Sequence, residues 1–206
     1  MKNNDFNFCS TQQYWRISVL VWSLFLFLNM PVMNAQSRLS VELRGGANFA
    51  TKELSDATLK TGFGFEGTAA FRFMPHLSAY AGWGWNQFSA DQSFAGTDMQ
   101  FEETGYTFGL RFLHPFGESK LHYLVEGGGI ANHIEIENKD GDIIADSGHG
   151  LGWQIGAGLG IPLGDHFRIT PSIRYRSLSR DIKINEVKTA TDLNYISAGV
   201  GFAWLF

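Results

Sequence analysis

"ISAGVGFAWLF", residues 196–206, decides how this chain is read. Ile196, Ala198, Val200, Phe202, Trp204 and Phe206 are apolar, whereas Ser197, Gly199, Gly201, Ala203 and Leu205 between them are mostly small. A two-residue period puts successive side chains on opposite faces of a strand, so one face here is large and apolar and the other is small. Chain ends normally fray unless something ties them down. Alternation that runs to a final aromatic residue therefore predicts a strand paired along its whole length.

The same period recurs upstream. After Gln36 no stretch sustains a 3.6-residue apolar repeat, and alternation predicts eight strands, over about 38–48, 61–74, 77–89, 101–113, 121–136, 149–163, 167–180 and 192–206. In the second, Phe63, Phe65, Ala69, Phe71 and Phe73 oppose Gly64, Glu66, Thr68, Ala70 and Arg72. In the fourth, Tyr106, Phe108, Leu110 and Phe112 oppose Gly105, Thr107, Gly109 and Arg111. In the sixth, Leu151, Trp153, Ile155, Ala157, Leu159 and Ile161 oppose Gly152, Gln154, Gly156, Gly158 and Gly160. The fifth blurs at "EGGGIANH", residues 126–133, where the glycines predict a bulge.

Connections alternate in length. "MPH", "HPFGESK" and "LGDH" are short, whereas "ATKELSDATLK", "ADQSFAGTDMQ", "NKDGDIIADSG" and "DIKINEVKTAT" are long and polar. An even number of strands joined this way collects the long loops at one end, the layout of a barrel with short periplasmic turns and long extracellular loops.

The two faces choose between a soluble calyx and a membrane barrel. A water-facing surface carries about 25 to 35% charged residues, yet the small-residue face is mainly Gly, Ser, Thr and Ala with isolated Glu and Arg. Those residues suit the cramped interior of an eight-stranded barrel, which leaves the apolar face to meet lipid. Closure of the sheet then satisfies every backbone group in hydrocarbon. The mean hydropathy of −0.09 fits, because only alternate residues of such strands need be apolar. Trp83, Trp85, Trp153, Trp204, Tyr106, Tyr175, Tyr195 and Phe206 are candidates for the two interfacial aromatic girdles.

Residues 1–35 read as an export signal. Arg16 precedes an apolar run, Ile17 to Leu28, followed by Pro31 and a small residue, Ala35, the order of a cleavable secretory segment. The run is shorter than the roughly 20 apolar residues of a membrane-spanning helix. The single cysteine, Cys9, lies ahead of it, so the exported chain from residue 36 onward carries no thiol. That chain holds 14 basic and 19 acidic side chains, a net charge of −5, which offers nothing to a nucleic acid. All 24 glycines fall within it, close to twice the usual frequency of about 7%.

From Arg38 to Phe206 the sequence resembles the small eight-stranded outer-membrane barrels of the OmpA/OmpX type. The resemblance rests on strand number, on hairpin lengths and on the closing "FAWLF". It implies an all-β, antiparallel, up-and-down transmembrane barrel in the outer membrane of a Gram-negative cell, without an appended peptidoglycan-binding domain. It also implies that Phe202, Trp204 and Phe206 form the C-terminal signal read by the barrel assembly machinery.

Within such a barrel Glu42, Arg44, Glu66, Arg72, Glu103, Arg111, Glu126, Arg174 and Arg176 fall on the non-lipid phase. An arginine at the lipid midplane costs about 2 to 4 kcal/mol, so these side chains are expected inside, paired into a network that fills the lumen. His76, His114 and His166 belong to the three short turns and are expected as solvent-facing turn residues rather than a metal site. "KDGD", residues 139–142, lacks the spaced oxygen ligands of a calcium loop, and the glycines of 156–164 precede no helix and so form no nucleotide fingerprint. Ser147 and His149 beside Asp146 supply the residue types of a hydrolase but no nucleophile motif. The sequence thus predicts a barrel without cofactor or metal, monomeric, whose partners are outer-membrane lipid, the assembly machinery and something outside the cell that meets its loops. A narrow solute channel is the second expectation, and a lipid A-modifying enzyme a remote third.

Overall fold

A computed structural model describes residues 38–184 and 187–206. The predicted signal segment and Cys9 lie outside the described residues. The strands are β1 (Leu39–Ala50), β2 (Gly62–Met74), β3 (Leu77–Ser93), β4 (Gly96–Pro115), β5 (His122–Glu137), β6 (Ile143–Asp146), β7 (Gly150–Leu163), β8 (Phe167–Ile184) and β9 (Val187–Leu205). The ladder runs β4-β3-β2-β1-β9-β8-β7-β5, and a further β4–β5 pairing closes it into a ring of eight antiparallel strands. β6 is a short addition that pairs with the far end of β5.

The seam between β1 and β9 explains the aromatic ending. Val41 faces Trp204 and Leu43 faces Phe202 across the ladder, and the Phe206 N–H donates to the Leu39 carbonyl at 2.9 Å. Along β9, Ile196, Val200, Phe202 and Trp204, with Phe206 just beyond its end, point outward and exposed, whereas Ser197 and Gly201 are buried. The same division runs around the wall, with Phe63, Phe65, Tyr106, Phe108, Leu151, Trp153 and Ile173 all exposed on the outside. A continuous apolar belt of that size has to be covered by something other than water, and hydrocarbon is the cover a closed sheet allows.

Three expectations are corrected. β5 contains no bulge at 126–133: its ladder with β4 runs without a break from Pro115↔His122 to Gln100↔Glu137, and its ladder with β7 is equally regular. The pattern blurs because Ile130, Ile134 and Ile136 turn inward while Gly127 and Gly129 occupy the outer face, which inverts the usual chemistry without shifting the register.

The long connections are also less loop-like than predicted. β3 and β4 continue pairing to Ser93↔Gly96, and β8 and β9 to Ile184↔Val187, so two of the four are strand extensions. At 20 residues, β4 far exceeds the roughly 9 to 11 that cross a bilayer. Its polar end is strand in water, which sequence polarity alone cannot distinguish from loop.

Finally, the interior is not uniformly polar. At the long-connection rim, Phe88, Phe101, Ile130, Ile134, Ile136, Leu178, Ile182, Leu193 and Tyr195 pack into one buried apolar cluster. The 51–61 connection crosses over it and inserts Leu54 and Ala57, both wholly buried. Backbone bonds hold that lid down, Thr51 N–H to the Asn194 carbonyl and Lys60 N–H to the Ser89 carbonyl, each 2.8 Å.

Candidate functional site

Below the apolar cluster lies a charged one. β1 supplies Glu42 and Arg44, β2 Glu66, β4 Glu103 and Arg111, β5 Glu126, and β8 Arg174 and Arg176, all buried inside the ring. Arg72 of β2 is half-buried, two residues from the end of its strand. Two further buried arginines, Arg168 and Arg180, were missing from the sequence-based set. They share the even-numbered phase of Arg174 and Arg176 on β8, which is the signal that identifies them.

The ion pairs form a chain rather than isolated couples. Arg111 Nε lies 2.8 Å from Glu126 Oε2 and its Nη2 3.1 Å from Glu42 Oε1. Arg174 Nε meets Glu126 Oε1 at 2.5 Å, and its Nη1 meets Glu66 Oε1 at 2.5 Å. The other Glu66 oxygen pairs with Arg176, whose Nη1 lies 3.7 Å from Glu103 Oε2. Five strands are thereby tied together through the lumen.

Neutral groups complete the chain. The Tyr195 hydroxyl on β9 donates to Glu103 Oε2 of β4 at 2.5 Å and accepts from Arg176 Nη1 at 3.1 Å. Because β9 and β4 stand opposite in the ring, that contact crosses the barrel. Tyr195 is therefore an interior residue and not part of an aromatic girdle, a correction to the sequence reading. Asn86 Nδ2 and Asn132 Nδ2 also donate to Glu103, at 2.7 and 2.5 Å. Gln154 donates to the Tyr80 hydroxyl at 2.9 Å. Arg44, without a carboxylate partner among the described residues, donates to Ser172 Oγ at 3.1 Å and Ser197 Oγ at 3.0 Å.

Glycine makes the space. An added Cβ at Gly156 would approach Arg174 Cγ to 2.8 Å, and one at Gly201 would approach Glu42 Cδ to 2.8 Å. At these positions glycine leaves room for long charged side chains folding across a narrow lumen.

The buried charges do not balance. Among the described residues, six buried arginines (Arg44, Arg111, Arg168, Arg174, Arg176 and Arg180) face four buried glutamates (Glu42, Glu66, Glu103 and Glu126). Several polar atoms here, including Arg168 Nε, Thr170 Oγ1, Arg111 Nη1 and Glu42 Oε2, lack a hydrogen-bond partner among the described residues. Buried polar groups of this kind are the sites that internal water satisfies.

Elsewhere the predicted groups separate. His76 and His114 come together, ring centroids 4.4 Å apart, each with its Nδ1 against a backbone carbonyl. His166 sits apart from them, against the Leu205 carbonyl. Ser147 Oγ donates to the Gly148 carbonyl and accepts from the Ile134 N–H, whereas His149 stacks on His133, so Ser147 and His149 form no nucleophile–base pair. Residues 138–142 close a turn in which Asn138 Oδ1 accepts from the Asp140 and Asp142 N–H groups, both 2.9 Å. Gly156 and Gly158 lie inside β7. Phe202, Trp204 and Phe206 stand outward, in contact with one another or with Phe167. Beyond the part of β5 that spans the bilayer, burial with the nearby Glu102 and Glu135 raises the carboxyl pKa of Glu137.

Comparison with known proteins places this architecture. The sequence profile of the outer membrane protein beta-barrel domain matches residues 20–206. The Neisserial surface protein A is 14% identical, with 82% of this chain and 97% of that one covered at a TM-score of 0.60. OprG from Pseudomonas aeruginosa is 14% identical, covering 84% and 99% at 0.52. Outer membrane protein W of E. coli is 10% identical, covering 84% and 100% at 0.54. No curated protein sequence matches the chain. This chain belongs to the outer membrane protein beta-barrel domain family and is a protein of the outer membrane.

Proposed function

We propose that this family member is a closed, non-enzymatic scaffold that displays the rim of its long connections outside the cell. The carrying observation is the double filling of the lumen. The ion-pair chain through Glu42, Arg111, Glu126, Arg174, Glu66 and Arg176 blocks the lower half. The apolar cluster under Leu54 blocks the upper half. A water path would have to breach both, so work is left to surfaces rather than to a pore. The surfaces offered to an extracellular partner are the 51–61 lid, the Phe94–Ala95 hairpin tip and the connection carrying β6. Phe202, Trp204 and Phe206 serve insertion by the assembly machinery, and the folded product is a monomer in lipid.

A narrow channel is the second reading, favoured by the surplus of interior arginine and by the polar atoms that call for water. Conductance in a planar lipid bilayer separates the two. The scaffold gives no steady single-channel current, and a persistent open level overturns it. Ser147 donates to a carbonyl instead of being primed by His149, which favours no hydrolytic role.

A further inference from the structure

We propose that His133, Glu135 and Asp146 form a binding site for one divalent first-row transition metal ion, with zinc(II) the best-matched occupant. The site lies on the outer wall of the barrel, at the rim of the long connections.

Strand geometry assembles it. His133 and Glu135 are two residues apart on β5, so both project from its outer face. β6 pairs with the end of β5 in the register Glu135↔Asp146, which sets the third side chain directly across the ladder. His133 Nδ1 stands 3.4 Å from each Asp146 carboxylate oxygen and 3.8 Å from Glu135 Oε1. One ligand atom from each of the three residues can be chosen so that all lie within 4.8 Å of one another. Tetrahedral zinc with bonds of about 2.0 to 2.2 Å separates its ligand atoms by roughly 3.4 Å. The His–Asp spacing already has that value, and the His–Glu spacing of 3.8 Å exceeds it by a few tenths of an ångström. At 3.4 Å the histidine and aspartate make a poor hydrogen bond, whereas the spacing suits two ligands of one ion.

The frame is held before any ion arrives. The Ser147 N–H donates to the Ile134 carbonyl at 2.9 Å, and the Ile134 N–H donates to Ser147 Oγ at 2.8 Å. Asp146 Oδ1 accepts from the Gly148 N–H at 2.7 Å. The His149 ring lies parallel to that of His133, 4.7 Å away at 9°, which limits the swing of the ligand imidazole.

Charge favours a cation. Glu102, Glu135 and Glu137 bring a carboxylate oxygen each to within 4.8 Å of one another. No lysine or arginine among the described residues pairs with any of them; Glu102 has only the Trp85 indole and Gln87 amide as donors, both 2.8 Å. Two carboxylates and a neutral imidazole neutralise a divalent ion. The mixed nitrogen and oxygen set suits zinc better than calcium or magnesium, which take oxygen throughout. The side chains of His133 and Glu135 are partly exposed and that of Asp146 about half, so an ion can enter from outside the cell.

The test uses the full exported chain, untagged, folded in detergent micelles and titrated calorimetrically with Zn2+, Ca2+ and Mg2+. Binding of one Zn2+ per chain, much tighter than that of Ca2+ or Mg2+, is expected. His133→Ala, Glu135→Gln and Asp146→Ala should each weaken it by at least tenfold, roughly the loss that removing even an outer-shell partner causes. His76→Ala, on a short turn at the other rim, should not change it. Heat-modifiable migration on gels checks that each variant is folded. Cobalt(II) substitution should give visible d–d absorption that disappears in His133→Ala. Absence of zinc binding, a calcium preference, or zinc binding that survives all three substitutions overturns the proposal.

Discussion

The barrel is filled in two ways. In its lower half Glu42, Glu66, Glu126, Arg111 and Arg174 hold one another through directional ion pairs. In its upper half Phe88, Phe101, Ile134, Leu178, Ile182 and Leu193 fill the same kind of tube by apolar packing. The lower filling specifies: each charge finds its partner only if strands one to three places apart in the ring are correctly aligned, so a register error leaves charges buried and alone. The upper filling only occludes, because apolar contact is roughly proportional to area and indifferent to direction. On the proposed reading as a closed scaffold, correct assembly and closure are divided between the two ends of the barrel.

The sharpest break in that comparison is Glu66→Ala. It removes a carboxylate from both Arg174 and Arg176, leaving the first with Glu126 and the second with a more distant Glu103 and the Tyr195 hydroxyl, and breaking a buried pair by removing one partner costs about 3 to 5 kcal/mol. The urea midpoint of unfolding in lipid vesicles should fall accordingly. Glu66→Met together with Arg174→Met and Arg176→Met should recover part of the loss, since apolar replacement of a whole buried ionic group is often neutral. Failure to recover any of it would mean that Glu103 and Glu126, deprived of those arginines, dominate the ledger of the lower half.

Leu178→Ala probes the upper half. Leu178 is wholly buried under the lid, and truncation of a core leucine costs about 2 to 5 kcal/mol. A value near the lower end is expected, because neighbours that pack without direction can collapse into the space. The same vesicle assay measures it, and hydrogen exchange should show the loss confined to amides of the 51–61 lid and the adjoining strand ends. Loosening that spreads into the lower half would join the two regions into one cooperative unit.

How far this division can be read from sequence depends on what each position faces. Lipid and lumen demand opposite chemistry, so β2, β4, β7 and the end of β9 announce themselves through alternation. Where the lumen itself turns apolar the contrast disappears, and Ile130, Ile134 and Ile136 on β5 resemble lipid-facing residues although they point inward. Above the bilayer the outside becomes polar too, so the extensions of β3, β4, β8 and β9 resemble loops. The charged positions are legible by phase, but their pairing is not. Arg174 and Glu66 are 108 residues apart and meet only because the ring closes. Tyr195 is legible by phase: two residues before Ser197, it shares the small-residue face of residues 196–206, and only its aromatic character points to the membrane surface.

Tyr195 is also where the two fillings meet, and Tyr195→Phe separates their contributions. Its ring stands edge-on to Phe88, centroids 5.1 Å apart at 70°, and belongs to the apolar cluster. Its hydroxyl belongs to the network, donating to Glu103 and accepting from Arg176. Phenylalanine keeps the first role and deletes the second, leaving Glu103 with the Asn86 and Asn132 amides and a more distant Arg176. The expected loss is near the lower end of the roughly 1 to 3 kcal/mol penalty for a buried hydrogen-bonding group deprived of its partner, smaller than for either other variant because the ring still seals the junction. Unfolding midpoints in vesicles give the number, and planar-bilayer conductance gives the meaning. A silent bilayer with a lowered midpoint means the hydroxyl orients the network while the ring closes the lumen. A new open level would instead make the Tyr195–Glu103 bond between β9 and β4 the seal itself, and would move the boundary between specifying and occluding down into the charged half.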